Sequence, residues 1–302
     1  MQEPSYLKLF ESGELDDRIA KLYRMLGSCE LCPRKCKVNR LEEKGKRGFC
    51  RSGKELMVSS YSPHFGEEEP LVGTGGSGTI FLTNCNLGCV YCQNYEISHL
   101  GRGSDKSEDQ VAGMMLSLQE RGCHNINFVT PTHFAPQLVR ALKAAVGKGL
   151  KVPLVWNCGG YESCGVLGLL DGIVDIYMPD IKYGDDRLGE KYSGVLDYFT
   201  VAKEAVRAMH RQVGELKLDS KGIAYRGLLI RHLVLPNGIS GSAEVLRFIA
   251  EEISANSYVN VMPQYRPAGM ASQYKELDRH PTREELNRAV VIARGLGLVR
   301  GL

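Results

Sequence analysis

Three cysteines, Cys85, Cys89 and Cys92, follow a short apolar run and share one loop with the spacing C-x3-C-x2-C. Their thiolates are soft ligands, which select iron–sulfur clusters, zinc or copper(I). Four thiolates would close a structural metal site, whereas three leave one metal position open for chemistry. Gly88, directly before Cys89, would let the backbone bend close to a bound cluster. The loop therefore predicts a reactive metal centre, and a zinc site that borrows a distant fourth ligand stays open as the alternative.

A second group of four cysteines lies nearer the amino terminus, in a stretch rich in lysine and arginine. It consists of Cys29, Cys32, Cys36 and Cys50. Four thiolates are the full ligand set of a structural zinc ion or of an iron–sulfur cluster. The neighbouring basic side chains would offset their charge. The spacing predicts a second metal site without separating zinc from iron, and four unmetallated thiols are the alternative.

Apolar runs alternate with helical patterns from residue 79 onward. The six runs, each short and rich in Val, Ile, Leu or aromatic residues, are 79–83, 125–130, 152–156, 174–179, 228–235 and 259–262. The helical patterns are 108–121, 136–147, 198–213, 242–254 and 282–295. Buried strands that alternate with helices indicate βαβ units and a parallel sheet. In such a sheet the active residues gather at the carboxyl ends of the strands.

The first 78 residues have a different pattern. One predicted helix at 14–26 precedes the cysteine-rich loop, and a glycine-rich stretch follows at 72–78. We therefore predict two units. Residues 1–78 would form an N-terminal extension with a metal-binding loop, and residues 79–302 would form the α/β unit.

Composition limits the classes of protein that fit. The chain has 302 residues, 43% of them hydrophobic, which is enough for a sizeable core. Its 38 basic and 35 acidic residues give a net charge of +3, too weak to indicate a nucleic-acid partner. No apolar run reaches the roughly 18–20 residues of a membrane span, and residues 1–14 lack the apolar segment of a secretion signal. We expect a cytoplasmic protein without a membrane partner, in which clustered cysteines bind metal rather than form disulfides.

The three-cysteine loop, with Tyr91 just before its last cysteine, resembles the signature of the radical S-adenosylmethionine (SAM) superfamily. The resemblance implies a 4Fe–4S cluster on Cys85, Cys89 and Cys92, whose open iron chelates the amino and carboxylate groups of SAM. It implies that an electron from the reduced cluster cleaves SAM to methionine and a 5′-deoxyadenosyl radical, which abstracts hydrogen from a substrate. It also implies that residues 79–302 form a partial (β/α)6 TIM-type barrel of parallel strands, and it places Tyr91 near the adenine.

Further segments resemble one subgroup, the homologues of pyruvate formate-lyase activating enzyme. They are residues 60–94, with His64-Phe65-Gly66-Glu67 and the glycine-rich 75–79, and residues 129–133. This resemblance spans about 29–275. It implies an oxidoreductase-type activating enzyme that receives its electron from a donor such as flavodoxin or ferredoxin. Its substrate would be a backbone glycine of a glycyl radical enzyme, and hence a protein partner.

Polar residues at the ends of later strands are the candidates for holding SAM. Thr130 and Thr132, after the second run, stand where activating enzymes carry a Gly-Gly-Glu motif that binds the SAM amino group. Their hydroxyls could replace that contact. His133 beside them either lines the site or is structural. Asn157, after the third run, either contacts SAM or caps the turn toward Gly159.

Charged residues follow the fourth run and interrupt the fifth. Asp180 and Lys182 match the Asp-x-Lys motif of activating enzymes, and alternation along an extended segment puts them on one face. There they could bind the ribose hydroxyls and the carboxylate of SAM, with an exposed ion pair as the alternative. Arg231 lies within an apolar run, so it needs a carboxylate partner from SAM or from the protein. At the sixth run, Gln264 or Tyr265 is a further candidate contact.

Three functions fit these observations. The sequence favours a radical SAM enzyme that acts on a glycine of a glycyl radical enzyme. The second function keeps the radical SAM chemistry but takes a small molecule, a peptide or a nucleoside as substrate. The third is a non-catalytic zinc- or iron–sulfur-binding protein with two metal loops.

Overall fold

One sheet of nine β-strands forms the centre of the computed structural model, which describes residues 3–42 and 47–302. In chain order the strands are β1 (Leu56–His64), β2 (Ser77–Leu82), β3 (Ser104–Lys106), β4 (Ile126–Val129), β5 (Leu154–Cys158), β6 (Ile176–Pro179), β7 (Lys217–Leu218), β8 (Ala224–Leu233) and β9 (Tyr258–Met262). Neighbouring strands in the series β2, β4, β5, β6, β8 and β9 are all parallel. β1 pairs antiparallel with β2 and with β3, and β7 pairs antiparallel with β8.

Helices connect the parallel strands. In chain order they are α1 (Tyr6–Glu11), α2 (Glu14–Arg24), α3 (Glu69–Val72), α4 (Tyr95–Ser98), α5 (Glu108–Glu120), α6 (Ala135–Val146), α7 (Cys164–Leu170), α8 (Asp186–Ser193), α9 (Tyr198–Val213), α10 (Ser242–Phe248) and α11 (Arg283–Gly295). A π-helical turn, Ile249–Ile253, continues α10. Each crossover between consecutive parallel strands carries at least one helix, which confirms the predicted α/β fold with a partial (β/α)6 barrel.

The six predicted apolar runs all overlap the parallel strands, and the pattern at 198–213 coincides with α9. The structure adds elements that the patterns did not predict: β1, β3, β7, α1, α3, α4, α7 and α8. β1 is largely polar and only partly buried, so it lacks the continuous apolar run of a barrel strand. Because β1 pairs with β2, the N-terminal residues and the barrel share one sheet, and the division at residue 78 stays a prediction.

Side chains inside the barrel lie in two layers. Asn157, Asp180 and Arg231 line a cavity at the carboxyl ends of their strands. Two positions earlier on the same strands are the apolar residues Val155, Met178 and Leu229, which therefore share their face of the sheet. This lower layer packs with Leu71 of α3 in one buried cluster. The segment between β1 and β2 thus fills the amino end of the barrel and leaves the polar layer above it.

The N-terminal helices pack on the outside of the barrel. α2 lies against α6 and α7, and its buried leucines join the main core. The amide of Ser5 donates to the carboxylate of Asp175 at 2.8 Å, and the hydroxyl of Tyr6 donates to the carbonyl of Val152 at 2.7 Å. None of the helices in the described ranges combines the length and the apolar character that a membrane span requires.

Candidate active site

The three-cysteine loop leaves the carboxyl end of β2, the first parallel strand, and its thiols line the cavity above the barrel. All three thiols are free. Each accepts a hydrogen bond, from the Leu87 amide to Cys85 (3.3 Å), from the Ser193 hydroxyl to Cys89 (3.0 Å) and from the Ser98 hydroxyl to Cys92 (3.1 Å). Hydrogen bonds to sulfur are one of the means by which proteins set the reduction potential of an iron–sulfur cluster.

The backbone of the loop is fixed by contacts to its neighbours. Asn84 begins the loop in the left-handed conformation (φ +64°), and the amide of Val90 donates to the carbonyl of Tyr192 at 2.9 Å. The structure gives a reason for glycine at position 88 other than the expected close approach of the backbone to a cluster. A Cβ there would lie 2.8 Å from the ring of Phe49, which belongs to the N-terminal cysteine loop.

Charged side chains form another part of the wall of the same cavity. The Nζ of Lys182 lies 2.7 Å from Oδ2 of Asp180, and the Nε of Arg231 lies 2.7 Å from Oδ1 of the same carboxylate. Arg231 also donates from Nη2 to Oδ1 of Asn157 at 2.7 Å. Asp180 and Lys182, whose side chains are 16% and 17% exposed, therefore form a mostly buried network rather than the exposed ion pair that the sequence left open.

Burial and ion pairing act in opposite directions on this network. Burial alone would raise the pKa of Asp180, but the cationic Arg231 and Lys182 hold that pKa below its ordinary value. Burial would likewise lower the pKa of Lys182, but the Asp180 carboxylate raises it above the ordinary value. Both side chains are thus charged at neutral pH, and the wall presents fixed charges to whatever binds in the cavity.

Two glutamates reach Arg231 from the segment that fills the amino end of the barrel. Glu67 Oε2 and Glu68 Oε1 lie 3.4 Å and 3.8 Å from Arg231 Nη1. Burial raises the pKa of Glu67 to about 7, although Arg231 opposes the shift. Arg231 therefore finds its carboxylate partners within the protein. The sequence placed Glu67 in a motif but gave no sign that it lies beneath the fifth parallel strand.

The cavity has a volume of about 250 Å³. It brings together nine residues that the sequence singled out, together with Gln264: Cys85, Cys89, Cys92, Tyr91, Thr130, Asn157, Asp180, Lys182 and Arg231. Thr130 has φ +61°, which is unusual for a β-branched residue and marks a backbone held in place by its surroundings. Tyr91 packs edge-on against Tyr183 and Tyr265, with ring centroids 6.2 Å and 5.8 Å apart. Cys158, which carried no signal in the sequence, also lines this cavity.

Thr132 and His133 lie outside this cavity. The Thr132 hydroxyl contacts the buried carboxylate of Glu162 at 2.5 Å, and burial raises the pKa of Glu162 to about 7. The ring of His133 hydrogen-bonds the carbonyl of Thr83 at 2.9 Å, and burial lowers its pKa to about 3. Tyr265 is fully buried, and its hydroxyl donates to the carbonyl of Leu277. Of the Gln264 and Tyr265 pair, only Gln264 reaches the cavity.

The four N-terminal cysteines line a second, small cavity. It lies between the N-terminal loop and the loop that carries Cys85, Cys89 and Cys92. Burial, together with the charges of the other three thiols of the group, raises the pKa of Cys32 to about 12. His133 and Asn86 lie on the rim of the same cavity. Within residues 3–42 and 47–302, no three His, Cys, Asp or Glu side chains are grouped tightly enough to hold a single metal ion as they stand.

Comparison with known proteins agrees with this geometry. A family model described as the Radical SAM superfamily matches residues 79–215, which run from the first parallel strand to the turn before β7. An uncharacterized protein of Methanocaldococcus jannaschii is 33% identical over 298 residues, which cover 95% of this chain and 80% of that protein. Residues 79–215 therefore form a domain of the radical SAM superfamily. Enzymes of this superfamily bind a 4Fe–4S cluster and SAM and use an electron donor.

Solved structures with a similar fold include a radical SAM methyltransferase from Sphaerobacter thermophilus and a methylornithine synthase. The methyltransferase is 15% identical with a TM-score of 0.49, and the match covers 74% of this chain and 65% of that one. The synthase is 13% identical with a TM-score of 0.47, and the match covers 74% of this chain and 63% of that one. The chain thus spans slightly less than two thirds of the length of either protein.

The cavity fits the cofactors of the superfamily by the chemistry of its donors. One wall supplies three thiols and the other supplies one carboxylate, one ammonium and one guanidinium group. Thiolates are the ligands of iron–sulfur clusters. The charged wall matches the amino acid and ribose parts of SAM, whose carboxylate, ammonium and hydroxyl groups require partners of both signs.

Proposed function

We propose that this protein is an enzyme that cleaves SAM reductively, with Cys85, Cys89 and Cys92 as the ligands of its catalytic 4Fe–4S cluster. The observation that carries the proposal is that these thiols and the network of Asp180 and Arg231 face one cavity. When bound, the cluster supplies the electron that breaks the sulfonium C–S bond and thereby yields a 5′-deoxyadenosyl radical.

The residues of the charged wall have separate tasks in this proposal. Lys182 supplies an ammonium group for the SAM carboxylate. Asp180 is held ionised by its two cations and supplies acceptors for the ribose hydroxyls. Arg231 keeps that carboxylate in place by donating from Nε at 2.7 Å, and Asn157 fixes the guanidinium by accepting a hydrogen bond from Arg231 Nη2, also at 2.7 Å. The side chains therefore enter the reaction already oriented, which reduces the reorganisation needed when SAM binds.

Aromatic packing and the remaining polar residues complete the proposed site. Tyr91, fixed between two other tyrosines, provides an apolar surface for the adenine. Thr130 and Gln264 line the same cavity and offer neutral hydrogen-bonding groups. Thr132 has a different task, because its hydroxyl is already engaged by Glu162. It supports the segment that carries Thr130.

We propose a backbone glycine of a glycyl radical enzyme as the substrate, on the strength of the resemblance to pyruvate formate-lyase activating enzyme homologues. One structural observation supports a protein substrate. The exposed Leu100 and Leu196 lie two and three residues after Ser98 and Ser193, whose hydroxyls contact the cluster thiols. They give the edge of the cysteine loop an apolar character suited to docking a polypeptide.

The first experiment tests the reaction. Anaerobically reconstituted protein is reduced with dithionite in the presence of SAM, and 5′-deoxyadenosine is measured by chromatography. Wild-type protein should form it, Cys85→Ala should not, and the matched control Cys164→Ala, a free exposed cysteine on α7, should behave like wild type. If reduced wild-type protein leaves SAM intact, or if Cys85→Ala is as active as wild type, the proposal fails.

The second experiment tests the substrate. A glycyl radical enzyme from the same genome is labelled with dideuterated glycine and incubated with the reduced protein and SAM. Deuterium in 5′-deoxyadenosine, together with a glycyl radical signal in electron paramagnetic resonance, would support the proposed substrate. SAM cleavage without deuterium transfer would exclude that enzyme as the substrate and favour a small molecule, a peptide or a nucleoside.

A further inference from the structure

We propose that Cys29, Cys32, Cys36 and Cys50 form a second metal site, in which four thiolates bind zinc or an iron–sulfur cluster that holds the N-terminal loop against the back of the Cys85 loop. The site goes beyond the proposed function, because it does not depend on SAM cleavage. The inference rests on the enclosure of the thiols, on the charges around them and on the contacts between the two loops.

The four thiols converge on one enclosed space. Cys29 and Cys32 are buried and Cys36 and Cys50 are half-buried, although the stretch carries many charged residues. The remaining wall is mostly apolar or cationic, and it consists of Leu31, Arg34, Val38, Arg40, Gly48, Phe49, Asn86 and His133. Sulfur atoms are therefore the principal soft ligands that face this space, as in structural thiolate sites.

The backbone around the cavity bends sharply at the cysteines. Lys35 and Lys37 on either side of Cys36 have φ +41° and +56°, and Arg51 after Cys50 has φ +56°. Residues other than glycine adopt this conformation only where the surroundings hold them there. A Cβ at Gly48 would lie 3.1 Å from the Sγ of Cys36, so the chain passes close to the thiol. These turns bring the four cysteines to the wall of one cavity.

Two guanidinium groups supply the charge balance that such a centre needs. Arg40 is only 2% exposed, and its Nη1 lies 3.9 Å from the Sγ of Cys29. Arg34 lies on the same cavity wall. Within residues 3–42 and 47–302, neither forms a salt bridge with a carboxylate. Four thiolates around a divalent metal carry a net charge of about −2, which two arginines neutralise.

The N-terminal loop is connected to the catalytic loop through Arg34 and Phe49. Arg34 donates from Nε to the carbonyl of Asn86 at 2.6 Å and from Nη2 to the carbonyl of Ser193 at 3.2 Å. Its guanidinium also lies 3.3 Å from the centre of the Phe49 ring, which occupies the space beside Gly88. A metal that fixes the four N-terminal cysteines would thereby fix the position of the loop that carries Cys85 and Cys89.

The distances between the thiols bear on the two candidate metals. Since no three of these side chains are grouped tightly enough for one ion as they stand, zinc would require the thiols to move together to bonds of about 2.3 Å. A cluster spaces its cysteines more widely, and its iron and sulfide content identifies it. Both outcomes are four-thiolate metal sites, and metal analysis distinguishes them.

The test removes the catalytic ligands first. Full-length protein with Cys85, Cys89 and Cys92 all changed to Ala is purified anaerobically, with and without reconstitution by iron and sulfide. Zinc, iron and sulfide are then measured per chain. The proposal expects about one zinc, or about four iron and four sulfide, in this triple variant. Adding Cys32→Ser should remove most of that metal, and adding Cys164→Ser should leave it unchanged.

Two results would overturn the second site. One is a folded triple variant, checked by circular dichroism, that binds neither zinc nor iron above background. The other is a triple variant whose metal persists after Cys32→Ser is added. The triple variant gives an answer on its own, so the test holds even if the Cys32→Ser protein fails to fold. Because this variant cannot cleave SAM, the result is independent of the proposed function.

Discussion

The two cysteine groups differ in what surrounds them. The three thiols of Cys85, Cys89 and Cys92 open onto a cavity of about 250 Å³ that is also lined by charged side chains. The four N-terminal thiols enclose a small space lined by apolar side chains and arginines. An open metal position with polar neighbours suits chemistry, whereas a closed set of ligands suits a structural role. The number of thiols and the character of the surrounding side chains together support the two different roles proposed for these groups.

The largest effect should follow from removing a ligand of the open group. Cys89→Ala should reduce SAM cleavage by more than the roughly 100-fold that changes outside the ligand set cost, because the cluster loses one of three protein ligands. Product analysis by chromatography checks this, with Cys123→Ala as the control, a cysteine buried elsewhere in the core. Equal activity of the two variants would contradict the assignment of the open group.

The charged wall should matter for stability as well as for binding. Asp180→Asn leaves Arg231 and Lys182 without their shared carboxylate, and breaking such a buried pair costs about 3–5 kcal/mol. Urea unfolding of the cofactor-free protein measures the loss, and equilibrium dialysis measures weaker SAM binding. Glu284→Gln breaks an exposed pair with Arg288 and should cost less than about 1 kcal/mol. Similar losses in both variants would show that the wall is not a buried network.

A buried carboxyl group near both cysteine groups predicts that the stability of the protein depends on pH. Glu162 contacts Thr132, whose neighbour His133 lines the N-terminal cavity, and burial raises the pKa of Glu162 from 4.5 to about 7. The folded state therefore holds this proton more tightly than the unfolded state. Its contribution to stability is complete below pH 4.5 and is lost as the pH rises to about 7, a decrease of about 3 kcal/mol.

Glu162→Gln should remove that dependence on pH. Free energies of unfolding measured in urea between pH 4.5 and 8 should fall more steeply in wild type than in the variant. Glu120→Gln, at an exposed position, is the matched control and should keep the wild-type slope. If the wild-type and Glu162→Gln curves run parallel, the carboxyl does not titrate in this range.

The contacts between the two cysteine-containing loops can be weakened without replacing a cysteine. Arg34→Ala removes hydrogen bonds to the carbonyls of Asn86 and Ser193, and should lower the free energy of unfolding by about 1–3 kcal/mol. The reconstituted cluster should also be lost faster on exposure to a chelator, as followed by its visible absorption. Lys21→Ala, on the exposed side of α2, is the control. Identical rates of cluster loss would show that the loops are independent.

The smallest expected effect concerns the reduction potential of a cluster bound to Cys85, Cys89 and Cys92. Ser193→Ala removes the 3.0 Å hydrogen bond to Cys89 and should make the cluster potential more negative. SAM cleavage should then slow by up to about 10-fold with a weak reductant. A redox titration monitored by electron paramagnetic resonance measures the potential, with Ser104→Ala on β3 as the control. A potential that stays at the wild-type value would remove Ser193 from the tuning contacts.

Local patterns predicted the barrel well because each parallel strand contains a short, mostly apolar run. Residues 174–179 and 259–262 were identified as strands on that basis, and β6 and β9 overlap them. β1 escaped prediction because its polar composition resembles a loop, although pairing with β2 stabilises it. Pairing between strands is a property of the fold that no short window contains.

The sequence predicted the site residues that directly follow the ends of strands. It did not predict contacts between segments that are far apart in the sequence. Asp180, Lys182 and Asn157 reach the cavity for the reason that predicted them. Glu67 approaches Arg231 across 164 positions of sequence, so its contact could not be inferred from spacing. Thr132 stands two positions from Thr130, yet a 3-10 turn directs it to Glu162 instead of the cavity.

The filled amino end of the barrel affects how molecules enter and leave the cavity. Leu71 and the apolar layer above it occupy the space beneath Asn157, Asp180 and Arg231. The amino end of the barrel is therefore closed as a route to this cavity. We expect molecules to enter and leave on the side of the cysteine loop. A molecule bound against Asp180 and Arg231 would then bind before a second reactant and leave after it.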